Sequence, residues 1–206
     1  MLRRLLRLSL LFLIGVGLTF MLLQWNVPMW LTTIIVLFVT ITIFIGWPFY
    51  VIYRTRSIRL VDRYLKSYQN KPIFGYAYML AHGTDEQLLH AIDAVIQRYP
   101  QKEMQVVSKG NRYMFTRDAN GLMKYAQSIE PSEYRVYYLA VAHAMRGELE
   151  EASRYRKKLQ TPWTIFLAEA SIAHAKGDTV TTEAAIASAV ATTRGLQRYS
   201  IYYGSK

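Results

Sequence analysis

From Leu8 to Leu23 the chain reads LSLLFLIGVGLTFMLL without a charge, and from Val27 to Tyr53 it again carries none. At about 1.5 Å per helical residue, roughly 20 residues cover the ~30 Å of bilayer hydrocarbon. The pattern therefore predicts two transmembrane helices, over about 5–25 and 29–53. Arg7 then sits at the interface, since an arginine in mid-bilayer costs about 3 kcal/mol. A cleaved export signal is the competing reading of the first run. No small-x-small cleavage pattern follows it, and only QWNVP separates it from the second run. So short a connector must turn at the interface, because irregular backbone cannot lie exposed in lipid. Residues 1–54 are thus expected to form a transmembrane helical hairpin with both chain ends on one side.

After residue 54 the apolar positions recur every three to four residues, with no period-two strand pattern. In TDEQLLHAIDAVIQRYP, Thr84 and Gln87 make a capping box, Leu88, Ala91, Ile92, Val95, Ile96 and Tyr99 share a face, and Pro100 ends the helix. Ser132 caps a helix with Tyr134, Tyr137, Tyr138, Val141 and Met145 broadly on one side, and Gly147 turns the chain into the next. That helix begins with Glu148, Glu150 and Glu151 and ends with Arg154, Arg156, Lys157 and Lys158. The order suits the helix dipole, and Glu150 with Arg154 is a favourable i,i+4 pair. Thr161 caps and Pro162 opens a further helix, and Gly177-Asp178 turns into an alanine-rich one through about Arg194. Looser turn signals at Gly83 and Asn120-Gly121 extend the series to about four helical hairpins, although KGNRYMFTRDANG within 101–130 reads equally as a loop or short hairpin. No such hairpin can bury its apolar face alone, so the units are expected to stack.

AHAMRGELEEA, with Leu139, Ala140, Gly147 and Ala152, resembles a tetratricopeptide repeat, and AEASIAHAKGD, with Ala170, Gly177 and Asp178, resembles the same motif. The resemblance covers 131–195 and extends to 58–130 in outline only. Neither unit has the full tryptophan, glycine and tyrosine set, and Arg156 stands where a bulky aromatic is usual. It implies an all-α chain, a transmembrane hairpin followed by a tetratricopeptide-like (TPR-like) stack over 55–206. It also implies a concave groove for a peptide segment, lined by Tyr134, Tyr137, Val141, Thr164, Leu167 and Ser171. The competing reading makes Tyr137 and Leu167 core between hairpins. Two spans before such repeats is also the layout of some bacterial inner-membrane proteins associated with late haem synthesis; no haem role is carried over.

Charge orients this plan. The net +11 includes +3 before residue 54 and +4 within 54–66, beside the apolar runs. Arg3, Arg4 and Arg7 flank the first run, Arg54, Arg56, Arg59 and Arg63 flank the second, and the connector has none. The positive-inside rule puts both termini in the cytoplasm and the protein in the cell (plasma or bacterial inner) membrane. Those seven arginines form a collar for anionic lipid headgroups, each base adding about 1 kcal/mol.

Chemistry is sparsely represented. The absence of cysteine excludes disulfides, thiolate catalysis and Cys-based zinc sites. His82, His90, His143 and His174 make no HExxH frame, and helix-end positions explain His143 and His174 as dipole partners. No nucleophile elbow, phosphate loop or dinucleotide fingerprint is present. Sixteen tyrosines and the RYSIYYGSK end invite a nucleic-acid reading, but the repeat region is only +4, so nucleic acid is not an expected partner. No catalytic residue, metal site or cofactor is expected. The reading is a non-enzymatic scaffold, a membrane-anchored TPR-like adaptor holding an unidentified protein partner at the cytoplasmic face. The alternative is a small subunit or regulator of a membrane complex that acts through its hairpin, by way of Gly15, Thr19 and neighbouring small residues.

Overall fold

The computed structural model describes residues 2–205, with side chains from residue 13 onward. Among the described residues every element is helical and no strand occurs. Contacts divide the chain into two units at Tyr50 and Val51.

The first unit holds α1 (Leu2–Gln24) and most of α2 (Met29–Arg54), which pack against each other across a tight turn. Asn26 takes the left-handed conformation there, φ 54°, and Val27 N–H donates to the Leu22 carbonyl at 3.1 Å. Among the described residues α2 is the one helix long and apolar enough to cross a membrane, with only 6% of its apolar window buried. The expected first span is not reproduced to the same standard. Its described apolar part is Leu13–Gln24, roughly 18 Å of helix, and the side chains of residues 5–12 lie outside the described residues. Along α2, Thr33, Thr40 and Thr42 each donate their hydroxyl to the carbonyl four residues back, which satisfies a polar group that lipid could not. Pro48 lies between two π-helical turns, Thr42–Gly46 and Tyr50–Arg54, whose wider winding accommodates the missing N–H.

The second unit comprises α3 (Ile58–Tyr68), α4 (Pro72–His82), α5 (Asp85–Arg98), α6 (Lys102–Phe115), α7 (Ala119–Ser128), α8 (Glu133–Met145), α9 (Leu149–Arg156), α10 (Pro162–Ala175), α11 (Thr179–Thr192) and α12 (Gly195–Gly204). Each packs on its chain neighbour, and α8 also packs on α10. The helix start and turn signals act on neighbouring backbone groups. Thr84 and Gln87 form the complete capping box, and the Ser132 and Asp178 side chains accept from Arg135 N–H and Thr181 N–H. Gly147 and Gly177 hold φ +75° and +77°. In both loops the N–H of the next residue reaches back to a helix carbonyl, Glu148 to His143 at 2.9 Å and Asp178 to Ala173 at 3.0 Å.

Three local expectations are corrected. Asn120-Gly121 is not the turn; it lies in the first turn of α7, and the chain reverses at Thr116–Asp118, where Arg117 takes φ +53° and Asp118 caps α7 through Gly121 N–H at 2.8 Å. Arg154 pairs at 2.7 Å with Glu151, one residue nearer than Glu150 and also within helical reach. The alanine-rich helix ends at Thr192 rather than Arg194, and a separate helix, α12, follows.

That last helix closes the unit. It packs on α3 and α4, so Tyr199, fully buried, joins Val51, Val61, Leu65 and Ala77 in one core cluster. A larger cluster runs from Leu122 and Ala126 through Tyr138, Ala140 and Ala142 to Leu159 and Ala168. Burial of such side chains contributes about 1.5–3 kcal/mol each for the larger ones.

Candidate functional site

Two regions carry the residues singled out from sequence. The first is the junction after α2. Ser57 caps α3 by accepting from Leu60 N–H at 3.3 Å, which aims Val61 and Leu65 into the core and leaves Arg59, Arg63 and Lys66 on the outer stripe. Arg54, Arg56, Arg59 and Arg63 are all exposed, and none makes a side-chain hydrogen bond or ion pair among the described residues. The side chains of Arg3, Arg4 and Arg7 lie outside the described residues. The one acid between residues 51 and 66, Asp62, faces the other way. It accepts from the Tyr199 hydroxyl and lies against His82 Nε2, both at 2.7 Å. Burial opposes the charge of Asp62, but the bonds from Tyr199 and His82 outweigh it and hold the carboxyl below its ordinary range.

The second region is the expected groove, and the structure splits it. Tyr137, Val141 and Thr164 are buried at 6%, 5% and 2% exposure and so lie in the core, not on a binding face. The reason is the close apposition of α8 and α10: the Trp163 ring stands edge-on to Tyr137 at 5.8 Å and tilted against Tyr134 at 6.4 Å. Leu167 is half-buried against two core clusters, and the Ser171 hydroxyl donates to its own helix at the Leu167 carbonyl, 3.0 Å away. Tyr134 keeps partial exposure. Burial raises the Tyr137 and Tyr138 hydroxyls far above the ordinary tyrosine value, so both stay neutral.

What seals α8 to α10 is Glu133, a residue without a sequence-level signal of its role. Its carboxylate accepts from Thr161 N–H at 2.6 Å, from the Thr161 hydroxyl at 2.6 Å, from Gln160 N–H at 3.1 Å and from the Thr164 hydroxyl at 2.9 Å. Thr161 is the N-cap of α10 by backbone conformation, yet its own side chain does not cap the helix; a carboxylate from the preceding hairpin performs that task. Burial disfavours the charge of Glu133, and the donors from Thr161, Thr164 and Gln160 overcome it, so its carboxyl titrates below the usual range.

The remaining candidate chemistry resolves into structure. His143 Nδ1 lies 2.6 Å from Glu148 Oε2 and its ring stacks on Tyr155, while Arg146 holds the other Glu148 oxygen at 2.8 Å. His143, in the last turn of α8, is therefore tied to the Glu148 side chain. His90 and His174 are exposed, and no group of three or more His, Asp or Glu side chains converges among the described residues. A shallow polar notch that sequence reading missed lies where α9 meets α10 and the Gly177 turn. Arg156 pairs there with Glu169 at 2.9 Å, and Lys157 and Lys176 are exposed. Comparison with family models, with curated proteins and with solved structures gives no match.

Proposed function

We propose that this chain is a membrane-anchored helical adaptor, in which the two N-terminal helices cross the bilayer as a hairpin and the TPR-like stack recruits a protein partner at the cytoplasmic face. The observation that supports it is a 26-residue, almost wholly exposed apolar helix running without a break into a separately packed helical unit, with arginines at the join that are unpaired among the described residues. An apolar helix of that length has no stable place in water. The unit after it holds buried, neutral tyrosines and structural ion pairs where an enzyme would need convergent reactive groups. Tethering the stack to a membrane raises the effective concentration of whatever it holds.

The cysteine-free chain makes the test direct. In sealed cells, Asn26→Cys should react with a membrane-impermeant maleimide, and Ser205→Cys should react only after lysis. Labelling of Ser205→Cys in sealed cells would refute the reading.

One observation favours a second reading, a subunit that acts through its spans. An open apolar groove runs between α1 and α2, lined by Gly15, Thr19, Phe20, Val36, Thr40 and Phe44, and, apart from its own stretch of helix, no atom of the described residues lies within 4 Å of where a Cβ on Gly15 would stand. Photo-crosslinking from the full chain in membranes separates the two. A partner trapped from Lys176 and not from Gly15 supports the adaptor, and the reverse supports the subunit. A fragment beginning at residue 57 would not serve, because it lacks Val51 and Thr55, both buried in the helical unit.

A further inference from the structure

The collar arginines at 54, 56, 59 and 63 lie close together in the chain, but the fold brings another base to them from the far end. Gly195 N–H donates to the Thr55 carbonyl at 2.7 Å, so the loop before α12 is pinned between the positions of Arg54 and Arg56. The approach is possible only for glycine. Its φ is +55°, and a Cβ on Gly195 would overlap the Ile52 carbonyl. Thr193, on the other side, is buried with its hydroxyl against the Ala189 and Val190 carbonyls. Arg194 stands between these two fixed residues, its Cα about 4 Å from that of Gly195. It is exposed, its backbone is extended at φ −139°, and it makes no side-chain hydrogen bond or ion pair among the described residues. The next arginine, Arg198, is different: its guanidinium turns inward and donates to the Val190 carbonyl at 2.5 Å.

We propose that Arg194 belongs with Arg54, Arg56 and Arg59 to one binding surface for the phosphate of an anionic lipid headgroup, assembled by closure of the helical unit. This rests on the reading of α2 as a membrane-crossing helix, whose last residue is Arg54 and which therefore sets the surface at headgroup level. Charge complementarity carries the choice of ligand: the bases are exposed and, among the described residues, unpaired, and the nearby acid, Asp62, is engaged by Tyr199 and His82. A headgroup held by Arg54 and Arg194 together links residues 140 positions apart, so lipid would brace the contact between the two ends of the unit.

The test uses the full chain in detergent micelles, with native mass spectrometry reading the retention of phosphatidylglycerol against phosphatidylcholine of the same acyl chains. The wild type should retain phosphatidylglycerol preferentially. Arg56→Gln and Arg194→Gln should each lower that retention about fivefold, Arg194→Lys should restore most of it, and Lys176→Gln, in the distant notch, should not change it. Unchanged melting of Arg194→Gln shows that the loss is not one of folding. Wild-type retention in Arg194→Gln, with loss in Arg56→Gln, would overturn the role of Arg194 and leave the membrane reading standing. No preference for phosphatidylglycerol in the wild type would overturn the headgroup surface itself. Equal competition by millimolar inorganic phosphate would replace lipid with free phosphate as the ligand and overturn the proposal.

Discussion

The ring of Tyr138 in α8 occupies the place where a Cβ on Gly110 of α6 would stand, and the Tyr138 hydroxyl lies 3.3 Å from the Val107 carbonyl of the same helix. Gly110 is mid-helix and buried, where glycine costs up to about 1 kcal/mol relative to alanine. The packing of a fully buried tyrosine offsets that cost. Gly110→Ala should therefore destabilise the chain, by on the order of 1–3 kcal/mol, despite its better helix propensity. Tyr138→Leu in the Gly110→Ala background should cost less than the two changes added separately. Thermal unfolding followed by circular dichroism measures both, and additivity would show that the two residues do not compete for one space.

Glu133 predicts an acid-sensitive joint between α8 and α10. Glu133→Ala leaves Thr161 N–H and Gln160 N–H without their acceptor and should cost about 1–3 kcal/mol. Because the folded carboxyl titrates below its unfolded value, its contribution is complete above the ordinary glutamate range near 4.5 and fades as pH falls through the lower folded value. A melting series from pH 7 to pH 3 should show the wild type and Glu133→Ala converging at the acid end. A constant gap between them would contradict the assignment.

Among the left-handed glycines, the cost of alanine should depend on what surrounds each. Gly147 and Gly177 have open space where a Cβ would go, so Gly147→Ala and Gly177→Ala carry only backbone strain, about 1 kcal/mol each. Gly195→Ala adds a collision with the Ile52 carbonyl and should lower the midpoint clearly more than either. Equal midpoints for the three variants would refute the docking of the Gly195 loop on residues 52–55.

Tyr199 and Asp62, 137 positions apart, join α12 to α3. Burial and the neighbouring Asp62 carboxylate raise the tyrosine hydroxyl far above its ordinary value, so it remains the donor at any physiological pH. Tyr199→Phe keeps the packed ring and removes that donor, which should cost about 1.5–3 kcal/mol for a bond to a charged acceptor. Hydrogen exchange of α12 should accelerate in the variant while that of α8 stays slow. Uniform acceleration would mean that α12 does not open separately.

The parts legible in the sequence are those decided within four or five residues. The Thr84–Gln87 box, the Ser132 and Asp178 caps, Pro162 at a helix start and the left-handed glycines at 147 and 177 all act on neighbouring backbone groups, so the residue types suffice. Glycine misled where its role was not local. In KGNRYMFTRDANG, Asn120-Gly121 reads as a turn, yet both glycines of the stretch are helical: Gly110 admits Tyr138 from 28 positions away, and Gly121 N–H is the donor to the Asp118 cap. The residues expected to line the groove show a related limit. A 3.6-residue period shows that Tyr137, Val141 and Leu167 lie on apolar stripes, but not which neighbouring helix covers each stripe.

By itself, then, the sequence determined the apolar length of α2, the placing of arginines beside it and the succession of capped helices, because bilayer thickness and helix-end hydrogen bonds are read by consecutive residues. Only the tertiary structure decided that α12 returns to α3, that Glu133 caps a helix in the next hairpin, and that Gly195, next to Arg194, docks on Thr55. Those contacts join residues 28 to 140 positions apart. Which distant surfaces meet depends on how every intervening helix packs, and no local pattern records that.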